Sequence, residues 1–92
     1  MKTLKRLSGK TTFHNETLLI TGGTGSFGNA VLGRFLKTSL KEIRIFSRDE
    51  KKQDDMRKRY PNDRLKFYLG DVRDTHSVEQ VMRGVDFVFH TP

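Results

Sequence analysis

Residues 17–28 read TLLITGGTGSFG, a short apolar run broken by glycines. The run TLLIT carries no charge and is partly β-branched, which suits a strand buried on both faces. TGGTGSFG then holds two overlapping glycine registers: GxGxxG at Gly23, Gly25 and Gly28, and TGxxGxxG at Gly22, Gly25 and Gly28. Glycine at such positions lets the chain turn sharply, brings backbone close to a pyrophosphate and packs the next helix tightly against the sheet. The positive end of that helix then faces the phosphates. A glycine turn that follows a predicted strand and opens a predicted helix is the context a dinucleotide fingerprint requires.

Working outward, Phe27, Ala30, Val31, Arg34 and Phe35 recur at helical spacing and predict a first helix ending near Thr38, with the stem of Arg34 along an apolar surface. Residues 42–47 (EIRIFS) are rich in β-formers and read as the second strand. Residues 49–60 are highly charged, but Asp54 with Lys58 and Asp55 with Arg59 place an acid four residues before a base, which supports a second helix. Met56 and Tyr60 give it a narrow apolar side, and Pro61 breaks it. Residues 65–69 (LKFYL) form the third strand, stopped by Gly70 and Asp71. Thr75 is the expected N-cap of a third helix with Val78, Val81, Met82 and Val85 on one face and Gly84 closing it, and residues 85–90 (VDFVFH) are the fourth strand. Strand and helix alternating every roughly 20–25 residues imply parallel pairing through right-handed crossovers. The predicted fold is a Rossmann-type α/β sheet with helices on both faces, its four strands in the order 3-2-1-4, ending after the fourth.

An acid at the end of the second strand usually bonds the ribose 2′-hydroxyl of NAD, but Ser47 and Arg48 stand there instead. A guanidinium pairs with a 2′-phosphate, and a missing carboxylate removes the repulsion that phosphate would meet, so NADP is favoured over NAD. Lys51 and Lys52 read equally as additions to that pocket or as charges on a solvated helix, while Asp49 and Glu50 suit the helix N-terminus. Asp71, at the ligand edge of the third strand, is placed to accept the adenine amino group while Val72 covers the ring.

The composition bounds the remaining choices. With 92 residues the chain is one domain or part of one. It has no Cys, which fits a reducing cytoplasm, and His14, His76 and His90 are too scattered for a local metal motif. Residues 1–10 lack the apolar centre of a signal peptide, and no run of about 18 apolar residues predicts a membrane span. Lys and Arg outnumber Asp and Glu by 18 to 11, a formal charge of +7, which permits an anionic partner. Part of the excess (Lys2, Lys5, Arg6 and Lys10) falls in a basic extension, residues 1–15, expected to be a solvated, mobile arm ahead of the unit at 16–92. The bases of residues 51–59 are interleaved with Asp54 and Asp55 and no nucleic-acid motif is present, so nucleic acid is not the expected partner.

Taken together, LLITGGTGSFGNAVLGRFL, EIRIFSRDEKKQDDMRKRY, LKFYLGDVRD and VDFVFH resemble the N-terminal part of an extended short-chain dehydrogenase/reductase. The nearest likeness is the polysaccharide-biosynthesis branch of UDP-N-acetylglucosamine 4,6-dehydratases and related 4-epimerases, the CapD-like and CapE-like proteins, over residues 16–90. The resemblance implies that Thr24, Gly25, Ser26 and Phe27 line the pyrophosphate, that Ser47 to Lys52 surround the adenosine phosphate, and that Asp71 and Val72 meet adenine. It also implies oxidation of a UDP-sugar at C4 by tightly held NADP, elimination of water across C5 and C6, and return of the hydride to C6.

The acid/base groups for that chemistry come, in the family, from segments well downstream of the fourth strand. There the family continues HAAA, whereas here Thr91 and Pro92 follow His90, and residues 1–15 also look foreign to it. Neither Tyr60 nor Tyr68 lies in a motif matching the family's base, so no catalytic residue is assigned. The expectation is a truncated or frameshifted product, or a fragment of a longer chain, that binds NADP but is inactive alone, a UDP-sugar being a partner only of the complete enzyme. The alternative is a non-enzymatic NADP-binding or regulatory module, pairing with a full-length relative or with itself through an uncovered edge of the fourth strand.

Overall fold

The computed structural model describes residues 2–3, 15–22 and 24–91. Along the chain run β1 (Lys2–Thr3), β2 (Thr17–Thr21), α1 (Ser26–Phe35), β3 (Glu42–Ser47), α2 (Glu50–Arg59), β4 (Leu65–Leu69), α3 (Thr75–Val81) and β5 (Phe87–His90). All pairings are parallel and the sheet order is β1-β5-β2-β3-β4. The four expected strands, β2 to β5, therefore lie in the 3-2-1-4 order, with β2 central. Within that register Thr21 stands opposite Phe46 on one side and His90 on the other, so the strand ends that follow the glycine turn, β3 and β5 are level with one another.

Alternation along β2 divides the core. Leu18 and Ile20 point to one face and join Val31, Leu32 and Phe35 of α1, Met56 of α2, and Ile43, Ile45 and Leu65 of the neighbouring strands. Leu19 points to the other and meets Phe46 and Val81, with Val78, Met82, Val85 and Val88 around them. Thus α1 and α2 cover one face and α3 the other, as a doubly wound sheet requires. Leu18, Leu19 and Ile20 are essentially inaccessible, each worth about 1.5–3 kcal/mol of burial. No helix of the described residues is long and apolar enough to cross a membrane.

Several expectations need correction. On α1 the buried face is Gly28, Val31, Leu32 and Phe35; Ala30 and Arg34 are exposed, and Phe27 is 58% accessible. The stripe is the right helix in a shifted phase, because apolar side chains on this sequence occupy more than one possible face. On α2, Asp55 pairs with Lys51 rather than with Arg59, and Asp54 receives both Lys58 at 3.1 Å and Arg57 at 3.3 Å. The N-cap of α3 is Asp74, one residue before Thr75: its carboxylate accepts from the His76 amide at 3.1 Å and the Ser77 hydroxyl at 2.8 Å. The helix ends at Val81, and Gly84, at φ +75°, turns the chain afterwards. Lys5, Arg6 and Lys10 of the basic arm lie outside the described residues, but Lys2–Thr3 is a strand beside Phe87 and Val88. The edge of β5 is therefore paired over those two residues rather than bare.

Two long-range devices set the loops. Arg64 donates from Nη1 to the carbonyls of Thr38 at 2.8 Å and Leu40 at 3.0 Å, and from Nη2 to that of Leu36 at 2.5 Å, so one guanidinium satisfies the carbonyls left at the end of α1. At the close of β4, a Cβ added to Gly70 would lie 2.4 Å from Cε1 of the buried Phe46 ring and 3.3 Å from Cβ of Ser77. Glycine is required there by close approach.

Chemical denaturation followed by circular dichroism should register both. Gly70→Ala is expected to lower stability by about 1–3 kcal/mol, the usual penalty of overpacking against a ring that cannot swing away. Arg64→Met is expected to lower it by about 1.5–3 kcal/mol, since three carbonyls lose a charged donor.

Candidate functional site

The turn that ends β2 is held from both sides. Gly22 adopts φ +67°, a conformation that L side chains rarely take, and its amide donates to the Phe46 carbonyl at 2.8 Å. Beneath it Thr91, itself buried, donates to the Thr21 carbonyl from its amide at 3.0 Å and its hydroxyl at 2.7 Å. A Cβ on Gly22 would fall 3.1 Å from that hydroxyl oxygen and 3.2 Å from the Thr91 carbonyl oxygen. Thr21 Oγ1 and His90 Nδ1 share a further hydrogen bond. Gly23 lies outside the described residues, so the GxGxxG register is described only at Gly25 and Gly28.

Gly25 is the N-cap of α1 and has no side chain to cap it, and the first turn holds no acid. Among the described residues, a Cβ at Gly25 would meet nothing within 4 Å. The helix thus begins with amides that no side chain of its cap satisfies, above open space, which suits the approach of an anion. Asn29 closes the turn from within the helix, donating from Nδ2 to the carbonyls of Gly25 at 2.9 Å and Thr24 at 3.3 Å.

Three adjoining clefts surround this turn. One, of about 500 Å³, brings Gly22, Ser47, Arg48, Asp71 and Val72 together with Phe46, Gly70, Arg73, His90 and Thr91. A second, of about 610 Å³, shares Gly22, Ser47 and Arg48 with it and adds Thr24, Asp49, Glu50 and Lys52. The third, of about 540 Å³, shares Thr24 and Lys52 with the second and runs past Gly25 and Ser26 between α1 and α2 to Arg59 and Tyr60. Eight of the expected site residues (Gly22, Thr24, Gly25, Ser26, Ser47, Arg48, Asp71 and Val72) therefore fall on one connected surface at the carboxyl ends of the strands.

The other three stand apart. Gly28 is buried on the sheet side of α1, and Phe27 projects outward with its ring 6.3 Å from that of Phe89. Lys51 lines a separate groove with Asp54 and Arg57 and pairs with Asp55 at 3.4 Å. Its neighbour Lys52 is the lysine beside the glycine turn, because consecutive helical residues point about 100° apart. The sequence offers Lys52 equally with Lys51; among the other lining residues, Arg73, His90 and Thr91 carry no sequence signal, for they belong to no motif.

The polar groups here are already ordered. Ser47 is buried, and its hydroxyl accepts from Gln53 Nε2 at 3.0 Å, the same amide donating to the Tyr68 carbonyl at 2.8 Å; Gln53 thereby ties the ends of β3 and β4 to α2. The Asp49 carboxylate caps α2, accepting from the Lys52 amide at 2.9 Å. Asp71 is held chiefly by Arg73, whose Nη2 lies 2.7 Å from Oδ2, while Arg48 Nη1 stands 3.6 Å from the same oxygen. Hydrogen bonds from the Arg73 side chain and amide, with a smaller contribution from Arg48, hold the Asp71 carboxyl well below its usual range, at about 2. Arg48, 69% accessible, projects over the cleft.

Comparison with known proteins places this geometry. UDP-glucose 4-epimerase of Rickettsia akari (strain Hartford) is 66% identical over 82 residues, covering 85% of this chain and 24% of that protein. Pen from Bacillus thuringiensis superposes with a TM-score of 0.83 at 32% identity, over 89% of this chain and 26% of Pen. A Rossmann-fold NAD(P)-binding family protein from Shigella flexneri superposes with a TM-score of 0.72 at 26% identity, over 86% of this chain and 38% of its own. The chain spans about a quarter of the length of the sequence relatives it matches. The profile of the family described as "Polysaccharide biosynthesis protein" matches residues 18–92, from the central strand through the turn to the last cleft residues, and the chain belongs to that family.

Proposed function

We propose that these residues are the NADP-binding part of a nucleotide-sugar epimerase or dehydratase. The observation that carries the reading is the convergence, on one surface, of a glycine turn with an uncapped helix start, a cationic pair (Arg48 and Lys52) and an acid at the end of the next strand. The open space above Gly25 fits a pyrophosphate against the backbone, with Thr24 and Ser26 beside it. The ribose of the adenosine half then falls between Gly22 and Arg48, and adenine between Arg48 and Val72 with Asp71 at its amino edge. A guanidinium and an ammonium at that ribose favour the 2′-phosphate of NADP over the bare hydroxyl of NAD.

When bound, a nicotinamide dinucleotide supplies reversible hydride exchange with a sugar carbon. The chain's own residues bind and orient: α1 offers amides to the diphosphate, Arg48 and Lys52 neutralise the third phosphate, and the Gln53–Ser47 bond keeps the strand ends in register beneath. The Rickettsia relatives named as UDP-glucose 4-epimerases support a UDP-hexose as the substrate class of the whole protein. The UDP-N-acetylglucosamine specificity suggested by the resemblance, and the choice between dehydration and epimerisation, belong to this proposal alone. Tyr60 and Tyr68 are not proposed as catalytic: the Tyr60 hydroxyl is engaged with the Asn29 carbonyl at 3.2 Å, and Tyr68 lies on the edge strand under the Arg44 guanidinium.

Isothermal titration should give measurable NADP⁺ binding with weaker NAD⁺ binding, and no turnover of a UDP-hexose by the 92 residues. Arg48→Gln should lower the NADP⁺/NAD⁺ affinity ratio about five- to tenfold, the size of one charge-assisted phosphate contact, the adenine contact being common to both and cancelling in the ratio. Lys52→Gln should act in the same direction and Lys51→Gln should not; equal NADP⁺ and NAD⁺ affinity in the unaltered chain would overturn the cofactor assignment.

A second outcome concerns pH. The folded carboxyl of Asp71 titrates near 2, below the ordinary value of about 3.9, so its stabilising contribution is complete above about pH 4 and is lost as pH falls toward 2. Carbon NMR of the Asp71 carboxyl should show a midpoint near 2, and dinucleotide affinity should carry no inflection from this group above pH 4.

A further inference from the structure

Asp71 poses a difficulty for an NADP site. A carboxylate 3.6 Å from Arg48 attracts the very guanidinium that a 2′-phosphate needs, and repels the phosphate itself. Left alone, the two side chains would neutralise one another across the mouth of the cleft. Arg73 prevents this. Its backbone amide donates to Asp71 Oδ1 at 2.9 Å, its Nε lies 3.1 Å from Oδ1 and 3.2 Å from Oδ2, and its Nη2 donates to Oδ2 at 2.7 Å. Both carboxylate oxygens are thus engaged by one fork, the geometry in which a guanidinium binds a carboxylate most strongly.

The turn that brings these groups together is itself closed, with the Asp74 amide donating to the Asp71 carbonyl at 2.9 Å, and Asp74 fixed as the cap of α3. Arg48 is held less closely in the trio: its Nη1 stands 3.6 Å from Asp71 Oδ2, an ion pair beyond hydrogen-bond distance, and its side chain is largely accessible. The trio carries one net positive charge, and that charge is presented by Arg48.

We propose that Arg73 is a specificity-determining positioning residue: by occupying both oxygens of Asp71 it releases Arg48 to receive the phosphate of a 2′-phosphorylated ribose. Resting on the reading of this cleft as an NADP site, the proposal makes selectivity a property of three residues from two strand ends rather than of Arg48 alone. The depressed titration of Asp71, caused first by Arg73, agrees with an acid whose charge is already matched. Asp71 keeps its place at the adenine edge, a contact that NAD and NADP share and that cancels in the ratio of their affinities.

The test is that ratio, measured by titration calorimetry on the full chain at one salt concentration. Arg73→Gln should reduce NADP⁺ affinity about fivefold while NAD⁺ affinity stays within twofold, the loss expected when an exposed ion pair is re-formed with the wrong partner. Adding Asp71→Asn to Arg73→Gln should restore the NADP⁺/NAD⁺ ratio, because the competing charge is gone while an acceptor for adenine remains. Arg73→Lys, which cannot fork, should give an intermediate ratio and serves if the Gln variant is unfolded by circular dichroism. An unchanged ratio in Arg73→Gln, or no recovery in the double variant, overturns the role of Arg73 while leaving the NADP reading intact if Arg48→Gln still lowers the ratio. An unaltered chain that binds neither dinucleotide overturns both.

Discussion

The structure depends on burial of a strand with no polar side chain between its two end threonines. Leu18, Leu19 and Ile20 point alternately to opposite faces, so β2 is stable only if both faces are covered. The two parallel crossovers through α1 and α2 cover the first face, and the longer step from β4 back across to β5, carrying α3, covers the second. A strand so enclosed must also surrender its chain abruptly, and Gly22 does this in a conformation other residues resist, its amide on the Phe46 carbonyl while Thr91 holds the carbonyl of the preceding Thr21. The place where the core strand ends is therefore also the place where backbone amides come free.

From that constraint the site follows by register. Because β3 and β5 pair with β2 level with Thr21, the residues just past each strand emerge on a common edge. Ser47 and Arg48 come from one side, His90 and Thr91 from the other, and Asp71 from one strand further. Gln53 holds this edge from below, its buried amide shared between Ser47 and Tyr68. The binding surface is preorganised by backbone and buried polar contacts, while the charges that discriminate between ligands remain accessible. That division suits selectivity, since an exposed guanidinium can move to its anion without disturbing the core.

The electrostatic character of the edge is local. The chain's charge of +7 includes bases paired along α2 with Asp54 and Asp55, and those pairs are exposed and contribute little. What distinguishes the cleft is the arrangement around one carboxylate, Asp71, where one acid shared by two guanidinium groups leaves a net positive charge, Arg73 holding the acid closely and Arg48 at the longer 3.6 Å.

Strand identities, parallel pairing and the 3-2-1-4 order were legible in the sequence, because buried strands read as short apolar runs and glycine spacing marks where a strand gives way to a helix. The glycine turn, Arg48 and Asp71 were legible as candidates for the same reason. Tertiary structure alone decided the phase of α1, which exposes Phe27 and buries Leu32, and the choice of Lys52 over Lys51 at the cleft. It alone paired Lys2–Thr3 with β5, put Arg64 on the carbonyls after α1, and engaged Asp71 with Arg73. Local pattern fixes periodicity but not rotation about a helix axis, and it carries no record of which distant carbonyl a long side chain reaches. Those are settled only when the elements pack.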